Sequence, residues 1–344
     1  MSEQTDSEVV VVTGASAGVG RATARAFAER GAKVGLLARG EDGLEGARDD
    51  VERAGGEAIS VPTDVADPQQ VEAAADAVED AFGPIDVWVN NAMVSVFSPA
   101  SEMTADDYRR VTEVTYLGYV HGTQTALERM RPRDDGTIVQ VGSALAYRGI
   151  PLQSAYCGAK HAIQGYTESV RTELFHDDCD VQLSMVQMPA MNTPQFEWTK
   201  SRLPRKSQPV PPIYQPEVAA RAITWTVDTE RDELWVGWPT MKAILGNRLV
   251  PRRLDQYLAS GGYDSQQTDE PADSERGHNL YEPLAGDFGA RGRFDERAHD
   301  RSYQLWVSIH RRPLAAVAGC LAAVVSLVLG KLILSSETDE PDDR

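Results

Sequence analysis

The chain of 344 residues contains little cysteine and comparatively few basic side chains. Its three cysteines, Cys157, Cys179 and Cys320, are too few and too scattered for a disulfide framework or a paired-cysteine metal site, which suits a reducing compartment. The 34 lysines and arginines are outnumbered by 52 acids, and the net charge of -18 argues against nucleic acid as a partner. The start of the chain lacks the positive and apolar parts of a signal peptide. We expect residues 1–7 to be disordered and the main domain to lie in the cytoplasm.

Short apolar runs alternate with longer segments of helical character between residues 8 and 240. The runs are continuous, β-branched and bounded by Gly, Pro or Asp, as in strands buried on both faces. We predict strands at 9–12, 33–38, 58–62, 86–89, 137–141 and 181–186, and helices at 19–30, 41–54, 68–82, 104–130 and 154–177. This alternation indicates right-handed βαβ units, and hence a Rossmann-type α/β domain with a doubly wound parallel sheet.

The pattern changes in the second half of the chain. Residues 189–215 predict a proline-rich loop with three aromatic side chains, followed by a helix at 217–228 and a short strand at 234–236. Residues 241–260 predict one amphipathic helix. Residues 261–300 have few aliphatic side chains and no period, which predicts an irregular extension or linker and leaves open whether it packs on the domain.

Residues 314–334 contain no acid and a single base, Lys331. A helix of 21 residues spans ~30 Å, the thickness of a bilayer core. Two arginines precede the run and an acidic tail, residues 335–344, follows it, which places the N-terminal side in the cytoplasm. We expect a transmembrane helix here after a juxtamembrane segment at 301–313, and a buried or interface-lying helix is the alternative.

A glycine-rich stretch, Thr-Gly-Ala-Ser-Ala-Gly-Val-Gly at 13–20, follows the first strand and opens the first helix. Gly14 permits a tight turn, and Gly18 and Gly20 permit backbone approach to a pyrophosphate at the positive end of the helix. A plain strand–helix connection could show the same glycines. The position between a strand and a helix nevertheless predicts a dinucleotide site.

Tyr156 and Lys160 are four residues apart on a predicted helix, so their side chains lie on one face. An ordinary tyrosine is a poor base at neutral pH, and a nearby cation lowers its pKa toward the range for proton transfer. Ser143 ends the fifth predicted strand, where its hydroxyl can reach a substrate carbonyl. The three residues together behind the glycine stretch predict an acid–base site, whereas His121 and His161 lack the ligand spacing for a metal, and we expect none.

These motifs resemble the short-chain dehydrogenase/reductase family over residues 8–240. The resemblance implies Tyr156 as general acid and base, Lys160 as the group that binds the nicotinamide ribose and lowers the tyrosine pKa, and Ser143 as the group that polarises the carbonyl. It also implies a homodimer or homotetramer. The cofactor-binding residues implied by the motifs are Gly14, Ser16, Gly18, Val19, Gly20, Arg39, Asp64, Val65, Asn90, Ala92, Tyr156, Lys160, Pro189 and Thr193.

Three positions depart from the family pattern. Thr115 stands where the family has a catalytic asparagine that helps to hold a water in the proton relay, and a threonine hydroxyl has a shorter reach. Met93 and Ala190 each replace a glycine. Thr115 therefore puts the activity in question and leaves the prediction of cofactor binding unchanged.

The second strand ends in Leu-Ala-Arg at 37–39, without the acid that usually binds a free ribose hydroxyl. The guanidinium of Arg39 suits a phosphate, which favours NADP(H) over NAD(H); the alternative is a solvated loop base neutralised by Glu41 and Asp42. We expect an oxidoreductase for an apolar carbonyl or secondary alcohol. A membrane-tethered nucleotide-binding protein with weak or no catalysis is the alternative, and the glycine spacing disfavours a sugar-nucleotide epimerase.

Overall fold

The computed structural model describes residues 7–229, 231–273 and 275–311. Its strands are β1 Val9–Thr13, β2 Lys33–Ala38, β3 Glu57–Pro62, β4 Val87–Asn90, β5 Val96–Phe97, β6 Thr137–Ser143, β7 Gln182–Met188, β8 Lys200–Ser201, β9 Arg205–Ser207, β10 Ile213–Tyr214, β11 Glu233–Trp235, β12 Gln267–Pro271 and β13 Ala298–His299. Its α-helices are α1 Gly18–Ala28, α2 Glu41–Arg53, α3 Pro68–Phe82, α4 Ala105–Thr112, α5 Gly118–Met130, α6 Ser154–His176, α7 Gln195–Trp198, α8 Pro216–Val227, α9 Gly237–Leu249, α10 Pro251–Gly261 and α11 Tyr303–Ile309.

The main sheet joins seven of the described strands in the order β11-β7-β6-β4-β1-β2-β3, and every neighbouring pair is parallel. The predicted parallel Rossmann-type sheet is thus confirmed. The interior strand β1 is buried at every residue, because helices cover both faces of the sheet. The strand order reverses between β1 and β4, and a crevice for a ligand forms at the carboxyl ends of such strands.

Two predicted helices are interrupted. The helix predicted over 104–130 consists of α4, a π-helical turn at Glu113–Leu117 and α5. The helix predicted over 241–260 is two helices, because Val250 leaves the helical conformation and Pro251, which has no N–H to donate, begins α10. Periodicity alone did not reveal either break.

The extension after α10 packs on the sheet domain although it contains little regular structure. Leu280 is fully buried in the main hydrophobic core, and Phe294 is buried in a second cluster with Phe97 and Phe196. The described residues up to Ser302 form one compact unit. The described part of the second unit is residues 303–311, which contain α11.

The transmembrane helix that the sequence predicts as part of the fold requires correction. Within residues 7–229, 231–273 and 275–311, no helix is long and apolar enough to cross a membrane. The predicted span at 314–334 and the acidic tail at 335–344 lie outside the described residues, as does most of the N-terminus predicted to be disordered. Over these described residues the fold class is the Rossmann-type parallel sheet.

Candidate active site

The glycine-rich turn between β1 and α1 depends on glycine at specific positions. Gly14 and Gly18 have φ angles of +67° and +60°, a conformation that side chains disfavour. Gly20 packs against the turn itself, and an added Cβ would lie 2.6 Å from Nδ2 of Asn91. The turn therefore presents bare backbone at the start of α1, where the first N–H groups have no partner within the helix.

Thr13 and Asn91 join the ends of β1 and β4 at the point where the strand order reverses. The Thr13 hydroxyl accepts from the backbone N–H groups of Asn91 and Ala92, at 2.9 and 3.1 Å. The Asn91 side chain donates to the Thr13 carbonyl at 2.9 Å. These bonds fix the crevice, and Asn91 is not among the predicted cofactor-binding residues although it lies between the predicted Asn90 and Ala92.

One pocket of about 670 Å³ begins at this turn and continues to the predicted catalytic residues. This volume is within the usual range for a ligand site. The predicted residues that line it are Gly14, Ser16, Gly18, Val19, Arg39, Asp64, Val65, Ala92, Ser143, Tyr156, Lys160, Pro189 and Thr193. Gly20, Asn90 and Thr115 are not among the lining residues; the Asn90 amide instead binds the Trp88 indole and the Thr123 hydroxyl in the interior.

Arg39 lies at the carboxyl end of β2 and lines the pocket. Its guanidinium donates to the backbone carbonyls of Asn279 and Tyr281 in the extension. A guanidinium has five N–H donors, so donors remain for an anion in the pocket. Burial lowers the pKa of Arg39 because it removes water from the charged form.

Ser143 and Tyr156 form the proton-transfer part of the site. Ser143 ends β6, and its hydroxyl accepts from the N–H of Leu145 at 3.1 Å. Burial raises the pKa of Tyr156, and a hydrogen bond with the Ser143 side chain opposes this rise. Tyr156 is thus held beside the serine hydroxyl that would orient a substrate oxygen.

Lys160 is buried with only 2% of its surface exposed, and its ammonium binds two oxygens. Nζ donates to the Tyr119 hydroxyl at 3.0 Å and to the Val141 carbonyl at 2.7 Å. It lies 5.6 Å from the ring centre of Tyr156. Burial lowers the pKa of Lys160 to about 7. Tyr119 is therefore a site residue that sequence reasoning missed, and its position one helical turn after Thr115 was the available signal.

Thr115 lies in the π-helical turn and does not contact the lysine through the described hydrogen bonds. Its hydroxyl donates to the Val94 carbonyl at 2.8 Å and accepts from the Val94 N–H at 3.0 Å. The threonine thus holds the chain beyond β4 against the helix. The polar neighbour of Lys160 on this helix is Tyr119.

The other half of the pocket has a mainly apolar lining. Phe97, Phe196 and Trp198 line it, together with Trp238 of α9 and Tyr257 of α10. Aromatic walls with a few polar groups are typical of sites for small apolar molecules. Together with the glycine-rich crevice, the Ser–Tyr–Lys set defines a Rossmann-type oxidoreductase site for a nicotinamide dinucleotide.

Comparisons with known proteins agree with this class. The family described as short chain dehydrogenase matches residues 8–202. The uncharacterized oxidoreductase YxnA of Bacillus subtilis is 34% identical over 322 residues, which cover 92% of this chain and 89% of the relative. The chain belongs to the short-chain dehydrogenase/reductase family, and the predicted enzyme class, a dehydrogenase that acts on CH–OH groups, is confirmed.

Two other similar proteins are named for their activities. Levodione reductase of Leifsonia aquatica is 32% identical over 206 residues, which cover 58% of this chain and 76% of the relative. The structure of an alcohol dehydrogenase from the archaeon Thermococcus sibiricus, complexed with 5-hydroxy-NADP, is similar with a TM-score of 0.57 and 28% identity. That likeness covers 67% of this chain and 95% of the archaeal one.

Proposed function

We propose that the chain is an NADP(H)-dependent oxidoreductase that interconverts a carbonyl and a secondary alcohol on an apolar small molecule. The observation that carries this proposal is the set of Ser143, Tyr156 and Lys160, which lines one pocket with the glycine-rich turn. The glycine-rich turn and Arg39 would hold the dinucleotide, which when bound would supply or accept the hydride. Tyr156 supplies or accepts the proton at the substrate oxygen. The substrate carbon gains or loses the hydride in the same reaction, so that the carbonyl and the alcohol are interconverted.

The chain's own residues support this division of roles. The Ser143 hydroxyl beside Tyr156 orients the substrate oxygen toward the phenol. Lys160 lies 5.6 Å from the tyrosine ring centre, and its protonated form favours the phenolate. The apolar half of the pocket excludes water from the reacting carbonyl and supports the choice of an apolar substrate.

Arg39 supports NADP(H) over NAD(H). It lines the pocket at the end of β2, where an enzyme for the free ribose hydroxyl usually carries an acid. Asp42, an acid close to it in sequence, accepts from the backbone N–H of Gly286 at 2.6 Å instead. A cation at this position suits the 2′-phosphate.

The cofactor preference is tested by fluorescence titration of the parent and Arg39→Ala chains with NADPH and NADH. We expect the substitution to raise the Kd for NADPH about tenfold more than the Kd for NADH, the size of one charge-assisted hydrogen bond. NADPH and NADH differ only in the 2′-phosphate. The difference between their changes in Kd therefore measures the contact of Arg39 with that phosphate. Equal changes for both cofactors would contradict the assignment of Arg39.

The catalytic role is tested with Tyr156→Phe in an assay of apolar ketones with NADPH. We expect a loss of roughly 10²–10⁴-fold in kcat, the range for a missing general acid, with an NADPH Kd close to that of the parent. Tyr166→Phe, on the same helix and outside the pocket lining, is the matched control. Turnover by Tyr156→Phe at the parental rate would contradict the proposal.

A nucleotide-binding protein with weak catalysis is the second candidate. It is favoured by Thr115, whose hydroxyl is engaged with Val94 and so does not supply the relay group found in the family. A parent chain that binds NADPH but reduces no ketone and oxidises no alcohol in the panel would support this candidate. The oligomeric state and the cytoplasmic location of the domain stay predictions.

A further inference from the structure

Residues 276–292 of the extension, called the strap here, cross the pocket at the glycine-rich end. The strap is anchored in the domain at its start. Leu280 is fully buried in the main core, and its carbonyl accepts from Nε of Arg110 at 3.1 Å. The Arg276 guanidinium donates to the carbonyls of Phe196 and Thr199, each at 2.7 Å.

The middle of the strap lies directly on the turn that begins α1. The Gly289 carbonyl accepts from the N–H of Gly18 at 3.1 Å, so the strap uses a backbone donor of the helix start itself. Asp287 forms an ion pair with Arg21, which is 5% exposed and also binds Asp50 of α2. Strap and turn are therefore in direct polar contact.

The strap also holds groups on both sides of the pocket. Its carbonyls at Asn279 and Tyr281 accept from Arg39, the residue proposed to bind the 2′-phosphate. On the opposite side, Phe288 packs edge-to-face on Trp198 with ring centres 4.7 Å apart. Trp198 belongs to the loop at 189–215 and lines the apolar half of the pocket. The strap therefore contacts residues of both the glycine-rich half and the apolar half.

We propose that the strap is the part of the cofactor site that controls entry and release of the dinucleotide. The inference rests on the proposed cofactor. A cofactor held beneath contacts to Gly18, Arg39 and Trp198 leaves only when those contacts open, and it enters by the same route. The reacting groups lie outside the strap, so its opening governs exchange and leaves the proton-transfer residues in place.

A segment that must open for exchange can be distinguished from residues that only contact the bound cofactor, because substitutions in the two change kon and koff differently. Removing a contact made only to the bound cofactor raises koff and leaves kon unchanged. Weakening a cover that must open raises both rate constants, so that Kd changes less than koff does. Stopped-flow measurement of both rate constants separates the two roles.

The variant is Phe288→Ala, with NADPH as the probe in binding and in displacement by excess NADP⁺. We expect koff to rise about tenfold, as for loss of one aromatic contact worth about 1.4 kcal/mol, and kon to rise with it. Asp287→Asn, which keeps the side-chain size but removes the charge of the ion pair, is expected to change both constants in the same direction. The control is Glu270→Gln, which removes an exposed ion pair to Lys206 in the same extension but outside the strap.

Unchanged rate constants in both strap variants, or a rise in koff alone, would overturn the proposed control of exchange while leaving the proposed function intact. A parent chain that binds neither NADPH nor NADH would contradict the proposed function, and the strap proposal would fail with it. Circular dichroism of each variant verifies that the strands and helices remain formed.

Discussion

Lys160 offers a quantitative prediction, because it is a buried lysine bound only to neutral oxygens in the described hydrogen bonds. Its Nζ contacts the Tyr119 hydroxyl and the Val141 carbonyl, and burial lowers its pKa from 10.5 to about 7. Folding therefore favours the neutral form of this lysine. We predict that Lys160→Met removes a pH-dependent cost from the folded state of the cofactor-free chain.

The sign and size follow from linkage between protonation and folding. Below about pH 7 the lysine is protonated in both states and the cost is complete. The folded lysine loses its proton first as the pH rises, so the cost falls, and it is absent above 10.5. The cost is about 4 kcal/mol at pH 7 and about 2 kcal/mol at pH 9.

Urea unfolding of the parent and Lys160→Met chains at pH 7 and pH 9 measures this difference. The variant also loses two hydrogen bonds, and this loss reduces its gain in free energy of unfolding by about 1–2 kcal/mol at either pH. We expect the advantage of the variant in free energy of unfolding to shrink by about 2 kcal/mol between the two pH values. Burial raises the pKa of both Tyr119 and Tyr156, so neither tyrosine contributes in this range.

The control is Lys242→Met, because the Lys242 side chain is exposed. We expect its unfolding free energy relative to the parent to be the same at both pH values. A difference between Lys160→Met and parent that does not change with pH would refute the reasoning, since it would show that the lysine titrates alike in the folded and unfolded chains.

Three further substitutions test the site. Thr115→Val removes the hydroxyl that bonds both the N–H and the carbonyl of Val94, and it should lower the free energy of unfolding by about 1–3 kcal/mol in urea titration, with Thr115→Ser close to the parent. Tyr119→Phe removes an acceptor of Lys160 and should lower kcat about tenfold with little change in KM; a parental kcat and pH profile would contradict a positioning role for this tyrosine. Gly20→Ala places a Cβ about 2.6 Å from the Asn91 amide and should cost roughly 1–3 kcal/mol of stability and weaken NADPH binding in titration, and parental affinity would contradict the proposed packing of the turn.

The sequence predicted the parts of the fold and site that depend on local patterns. β2 has the predicted bounds, and α3 begins at the predicted Pro68, where the Asp67 side chain caps the helix. The glycine turn, Tyr156 and Lys160 follow from short spacings within single elements. Such features need no knowledge of distant residues.

The missed features depend on contacts between distant parts of the chain. Asn90 and Asn91 are adjacent, but the first points into the interior and the second ties the crevice, a difference set by the orientation of the chain at the end of β4. The strap has no apolar period, because it is held by single anchors such as Leu280 and by carbonyls and ion pairs. The sequence of this segment therefore predicts a linker, whereas in the fold the segment packs across the pocket.

The ion pair between Arg21 and Asp287 joins residues 266 positions apart in the chain. Closing so long a loop carries a large entropic cost, and contacts of this separation form late. Synthesis proceeds from the N-terminus, and domains begin to fold as they emerge. The glycine-rich turn is therefore synthesised long before the strap, and the hydrogen bond between Gly18 and Gly289 can form only after the chain has been made to that point.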